Sequence, residues 1–578
     1  ITRDTVLMET FASLDTSLIV TGIGRDIFAL SYYFNDNLAS LTTISVITRG
    51  SIMYFNNLDF LILGIYCIGI ISLAQYVSRD KSGIEKTSED YFLAGRSLPW
   101  WAIGASLIAA NISAEQIIGM SGQGFVVGMA IAVWELTAAV ALIVMAKYFL
   151  PLFLEKKIYT MPQFLEQRFD KRVSLVLSVF WLIIYVFINL TTVLWLGALA
   201  INSLTGLEAM YGCILLAVFA LAYSLSGGLK AVAMTDIVQV VLLIFGGFAV
   251  LYIALNQISG SGGVIQGLGI VFNAMPEKFD MILSPDNPSY NNLPGVWILI
   301  GAGVWIGHFS YWGFNQYITQ RALGAKSLKE AQKGVMFAAY LKLLMPVVIV
   351  LPGICAAMAM EMELIPAIVK SDQAYPSMMT LLPHGLLGLT FAALIAAIVS
   401  SLASMTNSIG TIFTMDIYRT FSPVEVSQSN LIRTGRIAVV VGLVVAVCIA
   451  PLLDSFDSLF QYIQEFTGLF TPGILVIFLV ALFWKKATTM SVLVAAISSL
   501  VLSISISNIF PDFAYIHRMG VVFFLSGLGC YITAVAQGYV DQPKAINLAG
   551  IDFSTSRAFN VNTFVVVAIL CVIYFLLW

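Results

Sequence analysis

The stretch Trp100–Trp134, WWAIGASLIAANISAEQIIGMSGQGFVVGMAIAVW, decides the fold. It is apolar almost throughout, yet Asn111, Ser113, Glu115 and Gln116 stand in its middle. A helix crosses the hydrocarbon core of a bilayer with about 20 apolar residues. Ionisable and polar side chains at that depth are expensive and point by default to a substrate or ion path. The stretch reads as membrane helix with a polar interruption that has a purpose.

Working outward, the rest of the chain has the same character. Hydrophobic residues make up 59% of 578 positions and charged residues 11%, with a mean hydropathy of +0.92. Soluble domains carry about 25% charged residues, so a water-soluble globule is excluded. Fourteen apolar runs are predicted to span, near 58–78, 100–121, 125–149, 174–203, 210–226, 234–257, 295–317, 334–360, 384–416, 435–453, 458–484, 488–508, 518–537 and 560–578. They are long and lack the alternation of barrel strands, so the fold class is an all-α integral membrane protein. If the first span runs outside to inside, 22 Lys and Arg collect in the inner connections, while the outer ones hold only Lys278, Lys370 and Arg518. That asymmetry fixes orientation and supports the count. Residues 1–52 lack the charged start, apolar centre and cleavage site of a signal peptide. They are expected to form an extension, disordered or foreign to the natural chain, with the membrane domain at 53–578.

The net charge of −3 and the absence of a basic run leave no signal for nucleic acid. Cys67, Cys213, Cys355, Cys448, Cys530 and Cys571 sit in apolar stretches without metal-ligand spacing and read as free packing residues. His308, His384 and His517 are far apart, and GAGVWIG at Gly301–Gly307 has its third glycine one place late for a dinucleotide loop. No catalytic constellation appears, so the protein is expected not to be an enzyme and to need no cofactor. Oligomeric state is not readable.

Within the spans the ionisable residues are Glu115, Glu135, Asp236, Lys342 and Asp416, and the deep amides are Asn111, Gln116, Asn189 and Gln464. Any one of these reads equally well as a hydrogen bond between helices; Asp236 reads equally well as a helix cap. Spread over separate spans, they fit a polar cavity for a solute with many hydroxyls better. A second cluster, FAALIAAIVSSLASMTNS at Phe391–Ser408, is small and rich in hydroxyls. Unwinding near Ala109–Ile112 exposes carbonyls, and hydroxyls complete an oxygen cage for a hard monovalent cation. Broken helices at the midplane are how secondary transporters build such sites.

Three motifs, GGLKAVAMTDIVQ (Gly227–Gln239), YWGFNQYITQR (Tyr311–Arg321) and AAIVSSLASMTNSIGTIFTMDIY (Ala396–Tyr418), resemble the sodium:solute symporter family, and most closely its bacterial sodium/galactose branch. The resemblance covers about 57–578. It implies a LeuT-type five-helix inverted repeat, about 100–257 and 295–484, with one helix before and three after. It implies a sodium ion held by Ala109, Ile112, Ala397, Ser400 and Ser401, and a sugar held by Asn111, Gln116, Glu135, Asn189, Lys342 and Gln464. Tyr311 resembles the inner gate, Met120 and Phe460 the outer lid, and Asp236 an acid on the sodium exit route. His308, Trp134 and Ala138 depart from the branch, which has asparagine, tyrosine and serine there; His308 and Trp134 are kept as a sugar contact and a gate. The expected function is sodium-driven import of a hexose-like sugar across a bacterial inner membrane, by a multi-pass protein whose partners are sodium, sugar and lipid. The alternatives are another polar solute (inositol, sialic acid), or a sodium/sugar sensor or channel. Glu115 has no assigned role.

Overall fold

The computed structural model of the chain describes residues 54–78, 87–301, 303–422 and 426–578. The expected extension, 1–52, lies outside them, as do Arg79, Lys81 and Lys86. Among the described residues there is no β-strand, only a bridge between Leu98 and Ala325. The main helices are α1 (Asn57–Ser78), α2 (Trp100–Asn111), α3 (Glu115–Val126), α4 (Met129–Glu155), α5 (Lys171–Thr205) and α6 (Ala209–Ile258). They continue with α7 (Gly303–Phe314), α8 (Gln316–Leu323), α9 (Leu328–Glu361), α10 (Leu386–Phe421) and α11 (Gln428–Ser455). The last four are α12 (Leu459–Phe483), α13 (Thr489–Ile509), α14 (Tyr515–Ala536) and α15 (Arg557–Leu576).

Among the described residues eleven helical segments are long and apolar enough to cross a bilayer, and the pair α2–α3, bent by 61°, makes a twelfth if it is one span. Two expected spans take other forms. The one near 210–226 is the shorter apolar segment Ala209–Ala222, which runs on helically into Leu229–Ile258 within α6. The one near 295–317 is divided into Trp297–Ile300 and α7. It then stops at Asn315, whose side chain accepts from Tyr317 N (3.2 Å) and caps α8. An N-cap asparagine ends one helical path and starts another.

The α2–α3 break is built the same way. Ile112 leaves the helix at φ −80°, ψ 97°. Ser113 Oγ then accepts from Glu115 N at 3.2 Å, and Gln116 Oε1 accepts from Ser113 N at 3.1 Å. Ser113 and Gln116 thus cap each other's end of the S-x-x-Q stretch, Ser113 reaching the second rather than the third residue of the turn, and two amides freed by the break are satisfied inside the protein, as membrane depth demands.

Helix α9 is held close to the broken pair by missing side chains. A Cβ on Gly334 would lie 2.7 Å from Trp100 O, and one on Gly353 would lie 1.9 Å from Ser121 O. Small residues let membrane helices approach in this way, and between the two contacts Lys342 faces Asn111. Helix α10 is the centre of the bundle, 89% of its apolar window being buried, against 11% for α1 and 17% for α15.

Candidate functional site

The α2–α3 break opens on a cavity of about 890 Å³ of atom-free space, counting its solvent-open part. Its walls come from α2, α3, α4, α5, α7, α9, α12 and α14. Every residue expected at the sugar or its gates lines it: Asn111, Gln116, Glu135, Asn189, His308, Lys342, Gln464, Tyr311, Met120, Trp134 and Phe460.

At its centre lies a buried ion pair. Lys342 Nζ donates to Glu135 Oε2 at 2.6 Å and also to Asn111 Oδ1, both carriers of charge being 3% exposed or less. The ammonium stands 5.2 Å from the centre of the Trp312 ring, a cation–π contact. Asn111 Nδ2 donates to the Tyr311 hydroxyl at 3.0 Å, and that hydroxyl lies 2.6 Å from the Tyr317 hydroxyl. Tyr185 OH donates to Asn315 Oδ1 at 2.8 Å, so the phenol cluster reaches the break between α7 and α8. On the opposite side a Cβ on Gly119 would lie 2.9 Å from Phe460 Cβ, so α3 and α12 touch where Met120 and Phe460 line the cavity.

Gln116 lines the cavity, but its carboxamide is engaged locally: the oxygen accepts from Ser113 N and Nε2 donates to Glu115 Oε1 at 2.9 Å. The group left over is Glu115. It also lines the cavity, and its Oε2 is buried with no protein partner. Asn189 Oδ1 is similarly buried and unpartnered. Buried polar groups are normally paired; these two, with Trp134 Nε1, Trp181 Nε1 and Thr467 Oγ1, are the cavity-lining residues' atoms left without a protein partner among the described residues.

His308 is held by Thr137. The Thr137 hydroxyl lies 2.5 Å from Val133 O and 2.7 Å from His308 Nε2, so that ring nitrogen is engaged inside the protein. The ring edge meets Trp134 at 5.5 Å and 74°, so two of the three departures from the family branch touch one another. Ala138, the third, is buried on α4.

The expected sodium ligands gather in part. Ser401 Oγ lies 3.4 Å from Ala109 O and 3.2 Å from Ala110 O, at the end of α2. Ile112 and Ala397 are buried. Ser400, one residue on, turns instead to Asp236, donating to Oδ1 at 2.6 Å. Asp236 Oδ2 takes Ser106 Oγ at 2.5 Å and lies 4.0 Å from Arg321, which also reaches Ser404. Asp236 is thus a four-helix tie rather than a cap.

Reading the sequence missed Trp181, Ser310, Trp312, Asn315, Thr467, Thr471 and Met519 as cavity residues. Only Asn315 and the hydroxyls carried a signal. An aromatic or apolar side chain facing a cavity has the same sequence signature as one facing lipid.

A sequence model of the sodium:solute symporter family matches residues 91–498. This chain belongs to that family. It is 46% identical over 534 residues to the sodium/glucose cotransporter of Vibrio parahaemolyticus, covering 90% of this chain and 98% of the relative. It is 32% identical over 484 residues to the mouse sodium/myo-inositol cotransporter 2, covering 79% and 70%. The fold is that of a solved Na+-coupled sialic acid symporter in its substrate-bound outward-open state, with TM-score 0.73 and 22% identity, covering 83% of this chain and 98% of that one. The symporter is therefore a multi-pass membrane protein and a transporter, not an enzyme, and its family couples solute movement to sodium.

Proposed function

We propose that the symporter imports a hexose-like sugar together with sodium by alternating access. One observation carries this reading. The single helix interruption at Ile112 presents Asn111, paired with Lys342, to the cavity, and on its other side presents the Ala109 and Ala110 carbonyls to Ser401. Both ligands then bias the same hinge, which is the physical requirement for coupling.

In this reading sodium binds between α2 and α10, at Ala109, Ile112, Ala397 and Ser401, with Ser400 joining when it leaves Asp236. The sugar meets Asn111, Gln116, Glu135, Asn189, His308, Lys342 and Gln464. Glu115 is added because its free oxygen suits a hydroxyl donor. Tyr311 closes the cavity inward, Met120, Trp134 and Phe460 close it outward, and Asp236 lies on the way out for sodium. The inverted repeat is supported by element order: an interrupted helix opens each half, α2–α3 and α7–α8. Counting the divided and shortened segments as spans gives fourteen, one before the repeats and three after, within a domain from 53 to 578. The placement of positive residues then orients it in a bacterial inner membrane.

One sodium moving down 100 mV supplies about 2.3 kcal/mol, and a tenfold gradient adds about 1.4. Together they concentrate a neutral sugar by roughly several hundredfold, so one ion suffices. A second reading, an inositol as solute, is favoured by the relatives named for myo-inositol. Uptake of labelled glucose, galactose and myo-inositol into proteoliposomes, with and without sodium, separates the two. Absence of any sodium-dependent uptake or exchange favours a sensor or channel and overturns the proposal.

A further inference from the structure

Helix α14 lies outside both expected repeats, yet one of its side chains reaches the cavity. Glycines bring it there. A Cβ on Gly303 would lie 2.3 Å from Ile516 O, and one on Gly520 would lie 2.9 Å from Gly301 O, so the backbone of α14 rests on the start of α7. Met519, between Ile516 and Gly520 along the helix, is 3% exposed. Its thioether sits against two more glycines. Sδ is 3.3 Å from the Cβ position of Gly468 on α12, and Cε is 3.8 Å from that of Gly307 on α7. Gly307, Gly468 and Met519 all line the cavity. Helices α7 and α12 therefore present bare backbone to this stretch of wall, and Met519 of a peripheral helix sits between their glycines.

We propose that Met519 is a specificity-determining residue: it plugs the window between Gly307 and Gly468 and sets how large a group a bound solute carries on that side. Lys342, Glu135 and Asn111 hydrogen-bond to one another elsewhere in the wall. The groups packed on the Cβ position of Gly307 are the Trp134 ring, at 3.3 Å, and the Met519 methyl. A thioether there selects by volume and accommodates small changes through its three rotatable bonds. Its neighbours on the two glycines are the rings of Trp134, 3.3 Å from the Cβ position of Gly307, and Tyr515, 4.0 Å from that of Gly468; neither glycine has a side chain to move in when the thioether is shortened. The choice of solutes for the test rests on the sugar reading above; the location of the plug does not.

The test compares wild type, Met519→Ala and Met519→Phe in proteoliposomes, using hexoses and their O-methyl and O-benzyl ethers as competitors. Met519→Ala is expected to improve inhibition by at least one O-alkyl ether tenfold or more relative to its parent hexose. Met519→Phe, which needs no cavity to form, is expected to raise the parent's KM tenfold or more with kcat within threefold. An unchanged ranking in both variants, or equal weakening of every solute, overturns the assignment. A second arm is independent of what is carried. A cysteine at 519 and one at Thr467, another cavity residue, are treated with a small hydrophilic thiol reagent, and peptide-resolved mass spectrometry separates them from the native cysteines. Labelling at 519 within tenfold of the rate at 467 supports a cavity position, and no labelling at 519 overturns it. Failure of the sugar reading shows separately, as wild-type protein that accumulates none of the hexoses.

Discussion

Ser401 is the α10 hydroxyl that meets the end of α2, 3.2 Å from Ala110 O. A hard cation needs oxygen ligands, and a methyl supplies none. Ser401→Ala is expected to raise the sodium concentration for half-maximal uptake severalfold, with sugar affinity at saturating sodium nearly unchanged; an unaltered sodium curve removes Ser401 from the site. The Lys342–Glu135 pair is a different kind of residue. Removing one partner of a buried ion pair costs about 3–5 kcal/mol, whereas replacing both with apolar groups is often neutral. Lys342→Met alone should therefore lower the melting temperature and abolish uptake. Lys342→Met with Glu135→Leu should recover the melting temperature but not uptake, and recovery of both would make the pair a strut only. At His308 the question is which nitrogen is offered. With Nε2 tied to Thr137, the imidazole has Nδ1 left for a solute and so one donor or one acceptor, whereas an asparagine would offer both. His308→Asn should reorder competition among glucose, galactose and their deoxy analogues, and Thr137→Val should reproduce part of that change. These polar positions were legible in the sequence because a charge or amide inside an apolar run stands out. The roles of Gln116 and Glu115 were not, because which of two neighbouring side chains closes a cap depends on where the helix breaks.

At the scale of elements, the interruption itself had a local signature: Ser113–Gln116 fits the S-x-x-Q capping pattern, and Asn315 is an ordinary N-cap. Both sit in apolar surroundings where capping is seldom sought. Span length was less legible at Gly301, because a glycine in a membrane helix permits close contact as readily as it permits a break. The connection between α9 and α10 holds a testable clamp. Asp372 accepts from Leu459 N at 3.1 Å, at the start of α12 beside Phe460, while its Oδ1 is buried without a partner. Burial pushes its carboxyl up to about 6 from the ordinary 3.8, and the Leu459 hydrogen bond and the nearby Lys370 offset only part of that. A raised folded value means that the folded state takes up the proton first. The stabilisation is full below about 4 and is lost as pH rises through about 6, a difference of roughly 3 kcal/mol at most. Asp372→Asn keeps an acceptor without the charge. It should raise the melting temperature relative to wild type at pH 7.5, with the two converging near pH 4; equal melting at both pH values would falsify the clamp.

At the scale of the whole molecule, hydropathy and charge placement were enough for an all-helical membrane protein, and three motifs were enough for its family. They could not show that α10 forms the centre while α1 and α15 stay at the rim, since an apolar span looks the same facing protein or lipid. Nor could they show α14 entering the cavity. If sodium and sugar share one hinge, their stabilising effects are linked. Sugar should raise the melting temperature of wild type with sodium present and much less in choline, and Ser401→Ala should shrink that difference at moderate sodium. The contact between Lys342 and Trp312 has a consequence of another sort. Three of the ten tryptophans, Trp134, Trp181 and Trp312, border the cavity, and one of them lies under an ammonium. Indole emission responds to nearby charge and to the loss of water, so a solute entering among these rings changes both at once. The arrival of cargo is written into the ultraviolet fluorescence of the unlabelled protein, where it can be followed in real time before any transport is measured.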